Sequence, residues 1–183
     1  MHFGDNIHTH GDFSVGKMVG QPTAPSQEKS SGPGVAWKTP FIFVNYRNYD
    51  EKAATYLDEE LTDRLGAGAV FRDAGMPAGT EFPRKLLDMA RGCRLMLAVI
   101  GEKWDRPGHG LPLLHDPRDW VRVEIGTALA NDVTVVPIMV GARGRLNPDD
   151  LPADVRQLAY LQARHLRDGY DRQDVHRLVA QLL

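Results

Sequence analysis

The chain has 183 residues, 42 % hydrophobic and 25 % charged, the make-up of a globular protein with room for one ordinary domain and an appendage. A formal net charge of −2 gives no bulk electrostatic reason to bind nucleic acid, and no apolar run approaches the ~20 residues of a membrane helix. Asp5 and Asp12 stand where a signal peptide would be apolar, and the single cysteine, Cys93, excludes an internal disulfide and argues against a cysteine-based zinc site, so a cytoplasmic protein without a metal is expected.

Residues 1–20 are Gly-rich, and Gly4-Asp5-Asn6-Ile7 is echoed by Gly11-Asp12-Phe13-Ser14-Val15. This segment is too short to hold a core. It reads as a leader or edge strand, or as a strand that pairs with itself or a partner in cross-β fashion. It resembles the short N-terminal motifs by which some bacterial effectors are recruited to a sensor protein. His2, His8 and His10 lack the carboxylates or thiols of a metal site. Residues 21–37, rich in Pro, Ser, Gly and Gln towards their start, read as a flexible linker, and 38–183 as the folded domain.

Within that domain strand and helix patterns alternate. Phe41-Ile42-Phe43-Val44 reads as a buried parallel strand. Residues 51–65 read as a helix with Ala54, Leu57, Leu61 and Leu65 on one face, closed by Gly66 and Gly68. Ala69-Val70-Phe71-Arg72 is a second strand, 73–80 a loop, and 81–91 a second helix followed by a small buried residue, Cys93. The most continuous apolar run, 94–100, is a central strand. After the connection 101–115 and a third helix come a strand at 133–140 and a short helix at 151–160 capped by Asp149 and Asp150. An edge strand near 163–166 and a last helix at about 171–182 complete the chain. Such alternation predicts a flavodoxin-like, five-stranded parallel sheet of order 2-1-3-4-5 with helices on both faces, preceded by a short N-terminal extension.

The third helix carries the most chemistry. Asp116 suits the N-cap, Pro117 the first helical position, and Asp119 the positive end of the helix dipole. Val121, Ile125, Ala128 and Leu129 form the apolar stripe, and Trp120, Glu124, Thr127 and Asn131 the stripe beside it. Glu124 is therefore expected next to the buried face. In a 2-1-3-4-5 sheet, ligands bind beyond the carboxyl ends of the first and third strands. The segments leaving those ends are Asn45-Tyr46-Arg47-Asn48-Tyr49-Asp50 and 101–115, and the third helix begins at the same edge. The second connection is longer than the usual two to six residues, which favours a functional loop.

Four segments, Phe41-Ile42-Phe43-Val44-Asn45-Tyr46-Arg47, Val70-Phe71-Arg72-Asp73, Leu97-Ala98-Val99-Ile100-Gly101-Glu102-Lys103-Trp104 and Asp119-Trp120-Val121-Arg122-Val123-Glu124-Ile125, resemble a bacterial Toll/interleukin receptor (TIR) domain. The resemblance runs from about residue 39 to the last residue, 183, in both order and spacing. It implies NAD+ as substrate rather than cofactor, cleaved at the nicotinamide–ribose bond to ADP-ribose or a cyclised product by an effector of antiphage immunity. It implies a catalytic Glu124 and an aromatic Trp120, matching a Trp-three-residues-Glu motif. It further implies that the loop 73–82, with Gly75, Met76, Pro77 and Gly79, makes head-to-tail contacts between copies, so that oligomers or filaments are the active form. Asn45 departs from the family, where a serine is commoner.

The chemistry suits these residues. Nicotinamide departs as a neutral base, so no general acid is needed, and the difficulty lies in the oxocarbenium-like ribose left behind. A carboxylate beside that ribose stabilises the charge. Trp120 would offer a ring face, Tyr46 and Arg47 the opposite wall with Arg47 near a phosphate, and Asp73 a group to orient a neighbour. No Gly-rich phosphate loop is present, which excludes a Rossmann dehydrogenase mode.

Plainer readings stand beside these. Trp120 would be a packing anchor and Glu124 an exposed residue paired with Arg118 or Arg122. Trp37 and Trp104 read as packing residues, and His109 and His115 as solvent-exposed. The domain would then be a non-catalytic scaffold acting through TIR–TIR contacts. A nucleoside deoxyribosyltransferase on a related sheet is a further alternative. A phosphorylated receiver is rejected, because its metal-binding acids and acceptor aspartate would fall on Asn45-Tyr46 and Gly101-Glu102.

Overall fold

The most apolar run of the sequence forms the centre of the sheet. In the computed structural model, which describes residues 41–72, 82–105, 113–167 and 171–183, strand β3 (Leu95–Ile100) is buried at all six positions. Beside it lie β1 (Ile42–Asn45), also fully buried, and β4 (Thr134–Val140). The edges are the three-residue strands β2 (Val70–Arg72) and β5 (Arg164–Leu166). All pairings are parallel, in the order β2-β1-β3-β4-β5. The expected sheet is the observed one. Expectations for residues 1–40, including Trp37, for the loop residues Asp73, Gly75, Met76, Pro77 and Gly79, and for His109 lie outside the described residues.

Among the described residues four α-helices cover the sheet: α1 (Glu51–Leu65), α2 (Phe82–Gly92), α3 (Trp120–Ala130) and α4 (Arg172–Ala180). Two apolar clusters result. Phe43, Met96, Leu86, Ile125 and Trp104 form one, with α2 and α3. Ile42, Val44, Leu57, Leu61 and Leu178 form the other, with α1 and α4. Fully burying one such side chain stabilises by about 1.5–3 kcal/mol. The period of two along β1 sends Phe43 to the α3 side and Ile42 and Val44 to the α1 side. Asn45, one step beyond Val44, therefore belongs to the α3 side.

Two expectations need correction. The third helix starts at Trp120 with Asp119 as its N-cap, not with Asp116. The Asp116 carboxylate is used locally: Oδ1 accepts from the Arg118 backbone N–H at 2.9 Å and from its guanidinium, closing a turn around Pro117. Asp119 is extended, and its Oδ2 accepts from the Arg122 N–H at 3.3 Å. The segment 151–160 is not one helix either. It holds a 3-10 turn at Arg156–Tyr160, preceded by another at Pro148–Asp150. Pro152 biases the residue before it towards extended backbone, and Leu151 sits at φ −104°, ψ 137°. Asn147, rather than the aspartates, caps the first turn by accepting from the Asp149 N–H.

At the end of β3 the chain passes so close to Asp50 that only glycine fits. A Cβ on Gly101 would lie 1.8 Å from Asp50 Oδ1 and 2.6 Å from its Cγ. Gly101→Ala is expected to cost about 1–3 kcal/mol, the usual penalty of overpacking. The double variant with Asp50→Ala should recover part of that loss. Urea denaturation of both single variants and the pair checks this, and purely additive losses would contradict it.

Candidate active site

The carboxyl end of β1 delivers a polar side chain into an apolar layer. Asn45 is buried, and its Nδ2 donates to Glu124 Oε2 at 2.6 Å and reaches the Val121 carbonyl at 3.4 Å. Glu124, in the second turn of α3, is only 5 % exposed. A carboxylate removed from water needs hydrogen bonds to remain there, and the Asn45 amide supplies one. Asn45 Oδ1 is buried with no hydrogen-bond partner among the described residues. An unmet buried acceptor costs about 1–3 kcal/mol. A carbonyl and a carboxylate thus lie side by side, both acceptors of the kind to which hydroxyl groups donate. One turn before Glu124, Trp120 is 40 % exposed.

Arg47 is turned inward. Its Nη1 and Nη2 donate to the two Asp119 oxygens at 2.9 and 2.7 Å, its Nε donates to the Trp104 carbonyl, and its guanidinium lies 5.9 Å from the Trp104 ring centroid. Both members of the ion pair are below 10 % exposed. The pair joins the segment leaving β1 to the N-cap of α3, and so sets where Trp120 and Glu124 stand. Trp104 is fully buried, and its indole N–H finds no acceptor among the described residues.

Asp50 lies at the same edge of the sheet, buried, with Oδ2 accepting from the Gly101 N–H at 3.2 Å. Desolvation holds its carboxyl above the usual 3.8, partly offset by the Gly101 N–H and the positive charges of Arg47 and Arg143. A raised acid pKa means that the folded state holds its proton to higher pH than the unfolded chain does. Asp50 therefore costs stability as pH rises from 3.8 through the raised value, and costs nothing well below it. Asp50→Asn keeps an acceptor for Gly101. It should gain stability relative to the parent at pH 7 and lose that advantage near pH 3, as measured by thermal melting at both.

Residues 42–179 match the family model of the TIR domain. The chain belongs to the TIR family. This TIR domain is also similar in fold to a metazoan TIR-STING receptor from C. gigas in complex with 2',3'-cGAMP, at 18 % identity and a TM-score of 0.50. That match covers 76 % of this chain but only 39 % of the receptor's length. A Clostridium botulinum CMP N-glycosidase, BcmB, aligns at 14 % identity and a TM-score of 0.42, over 78 % of this chain and 98 % of that one.

Of the residues singled out in this TIR domain, Asn45 and Glu124 meet directly, and Arg47 joins them through Asp119 at the helix start. Tyr46 packs instead against the α1–α4 cluster, with the Arg72 guanidinium 5.6 Å from its ring centroid. The two arginines that would have held Glu124 at the surface go elsewhere: Arg118 pairs with Asp116 and Arg122 with Asp154. His115 is exposed and faces the Asp150 carbonyl. Cys93 is buried and its thiol is pushed up to about 11 by desolvation, the mark of an unreactive packing residue. Sequence reasoning missed Asp50 and the role of Asp119. The signal for Asp50 was its place before α1, in a segment leading from the switch point.

Proposed function

We propose that this TIR domain cleaves NAD+ at the nicotinamide–ribose bond, with Glu124 as the group that stabilises the developing ribosyl cation. The observation that carries this reading is the Glu124 carboxylate, buried beside the carboxyl end of β1 and held at 2.6 Å by the Asn45 amide. A buried charge fixed by a neighbour does not reorganise when positive character grows at the anomeric carbon, which is the condition for electrostatic catalysis. Asn45 Oδ1 would accept from a ribose hydroxyl. The Trp120 face would attract a cationic ring, a contribution of up to about 2 kcal/mol when desolvated. Arg47 and Asp119 act as positioning residues. Nicotinamide leaves with the electron pair of the C–N bond, and either water or a second nucleophile within the same molecule closes on the ribose, giving ADP-ribose or a cyclic product.

The reading extends to a cytoplasmic effector of bacterial immunity that assembles through loop 73–82 and is recruited by a sensor through residues 1–20. The test is incubation of the purified chain with NAD+, nicotinamide being followed by chromatography and the second product by mass spectrometry. Absence of nicotinamide from an assembled preparation would leave the domain as a scaffold. If assembly completes the site, activity per subunit rises with concentration. Activity per subunit that stays constant from monomer to oligomer contradicts that part of the proposal.

A further inference from the structure

On the far side of the sheet, β5 and α4 line a half-open hollow of about 540 Å³ that the proposed reaction does not use. Among the described residues three guanidinium groups line it: Arg164 on β5, Arg167 just beyond it, and Arg177 on α4. Asp174 is the carboxylate on its wall and is taken by Arg177, while Gln181 adds an amide. Neither Arg164 nor Arg167 meets a carboxylate among the described residues. The Arg164 Nε is buried with no hydrogen-bond acceptor among them.

A buried guanidinium N–H with nothing to donate to is costly, because hydrogen bonds to charged groups are the strong ones. The period of two along β5 puts Arg164 on the same side as Leu166, which is buried in the α1–α4 cluster. Arg164 is thus directed under α4, not out along the sheet edge. Among the described lining residues, three cations stand against one carboxylate that is already paired, an excess of positive charge. Its volume falls within the range of small-molecule sites, ~300–1,000 Å³, and its polar walls suit phosphoryl oxygens rather than an apolar body. Arginine forks match such oxygens with two parallel donors.

We propose that this hollow is a binding site for a small molecule bearing a diphosphate, with Arg164 and Arg167 as its principal donors. β3 and β4 separate β5 from β1, so at about 4.8 Å per strand the site lies roughly 14 Å from the strand that carries Asn45. It stands whether or not NAD+ is cleaved.

Isothermal titration of the full chain with inorganic pyrophosphate, at ionic strength held constant with chloride, tests the proposal. One saturable site per chain with a Kd below about 1 mM is expected. Arg164→Lys, which keeps a positive charge but loses the fork, and Arg167→Ala should each weaken binding about tenfold. Arg118→Ala, on the segment before α3, should change it less than about twofold. Titration with ADP separates the two sources of the group. Affinity equal to that for pyrophosphate assigns recognition to the diphosphate alone, and higher affinity extends the site to a nucleotide. Melting curves establish that each variant is folded before titration. The proposal is overturned if pyrophosphate fails to saturate. It is equally overturned if folded Arg164 and Arg167 variants bind like the parent, or if the Arg118 variant loses as much as they do.

Discussion

Glu124→Gln is expected to release nicotinamide at least ~10³-fold more slowly than the parent chain, at an unchanged or higher melting temperature. The two halves of this prediction have one cause. Glutamine has nearly the shape of glutamate and keeps a carbonyl oxygen for the Asn45 Nδ2 donor, which stands 2.6 Å from Glu124 Oε2. The volume filled at this buried position of α3 is therefore retained. The charge is not. In a site where a cationic ribose must form, loss of the anion removes the largest single electrostatic contribution. In the resting fold Glu124 is 5 % exposed, and holding a carboxylate there costs solvation that a neutral amide does not lose to the same degree. A residue kept despite that cost trades stability for activity. Chromatographic nicotinamide release and a thermal melt on the same preparation check both halves. Undiminished cleavage by a folded Glu124→Gln variant would remove Glu124 from the mechanism.

What could be read in advance follows from which forces act locally. The strands were legible because a parallel sheet covered on both faces demands unbroken apolar runs, and β3, buried throughout, is the extreme case. The α1 helix was legible to its ends, since Gly66, at φ 92°, marks where the chain turns away. The neighbourhood of Glu124 was half legible. Its stripe beside Val121 and Ile125 follows from the helical period, and its position at the β1 edge follows from the sheet order. Its partner does not, because Asn45 comes 79 positions earlier and only the assembled sheet brings the two together. The start of α3 was misread for a related reason. Asp116 and Asp119 are both competent caps. The choice is made by Arg47, 72 positions away, which fixes Asp119, and by Arg118, which occupies Asp116. Local propensity cannot weigh a tertiary ion pair.

That ion pair yields the second large expected effect, a loss of about 3–5 kcal/mol of folding stability on Arg47→Met. Were the pair at the surface, its removal would change stability by no more than about 1 kcal/mol. The exposures of 8 % and 9 % decide between these regimes. With methionine in place, the apolar stem of the side chain is largely replaced, so cavity formation contributes little. Asp119 is left as a buried carboxylate with, among the described residues, the Arg122 N–H to satisfy it, and the Trp104 carbonyl loses its Arg47 donor. The penalty therefore resides in what remains. It follows that Asp119→Ser, which still caps α3 but carries no charge, should be better tolerated on the Arg47→Met background than on the parent. The expected coupling is about 1–3 kcal/mol, read from urea midpoints at unchanged slope. Cleavage should fall in the folded Arg47→Met protein as well, because the pair sets where Trp120 and Glu124 begin their helix. Recovery of stability in the double variant without recovery of cleavage would place the function of this pair in positioning, beyond its contribution to the fold. Independent, additive losses would instead mean that Arg47 and Asp119 do not depend on each other, and the account of how α3 is held against β1 would fail.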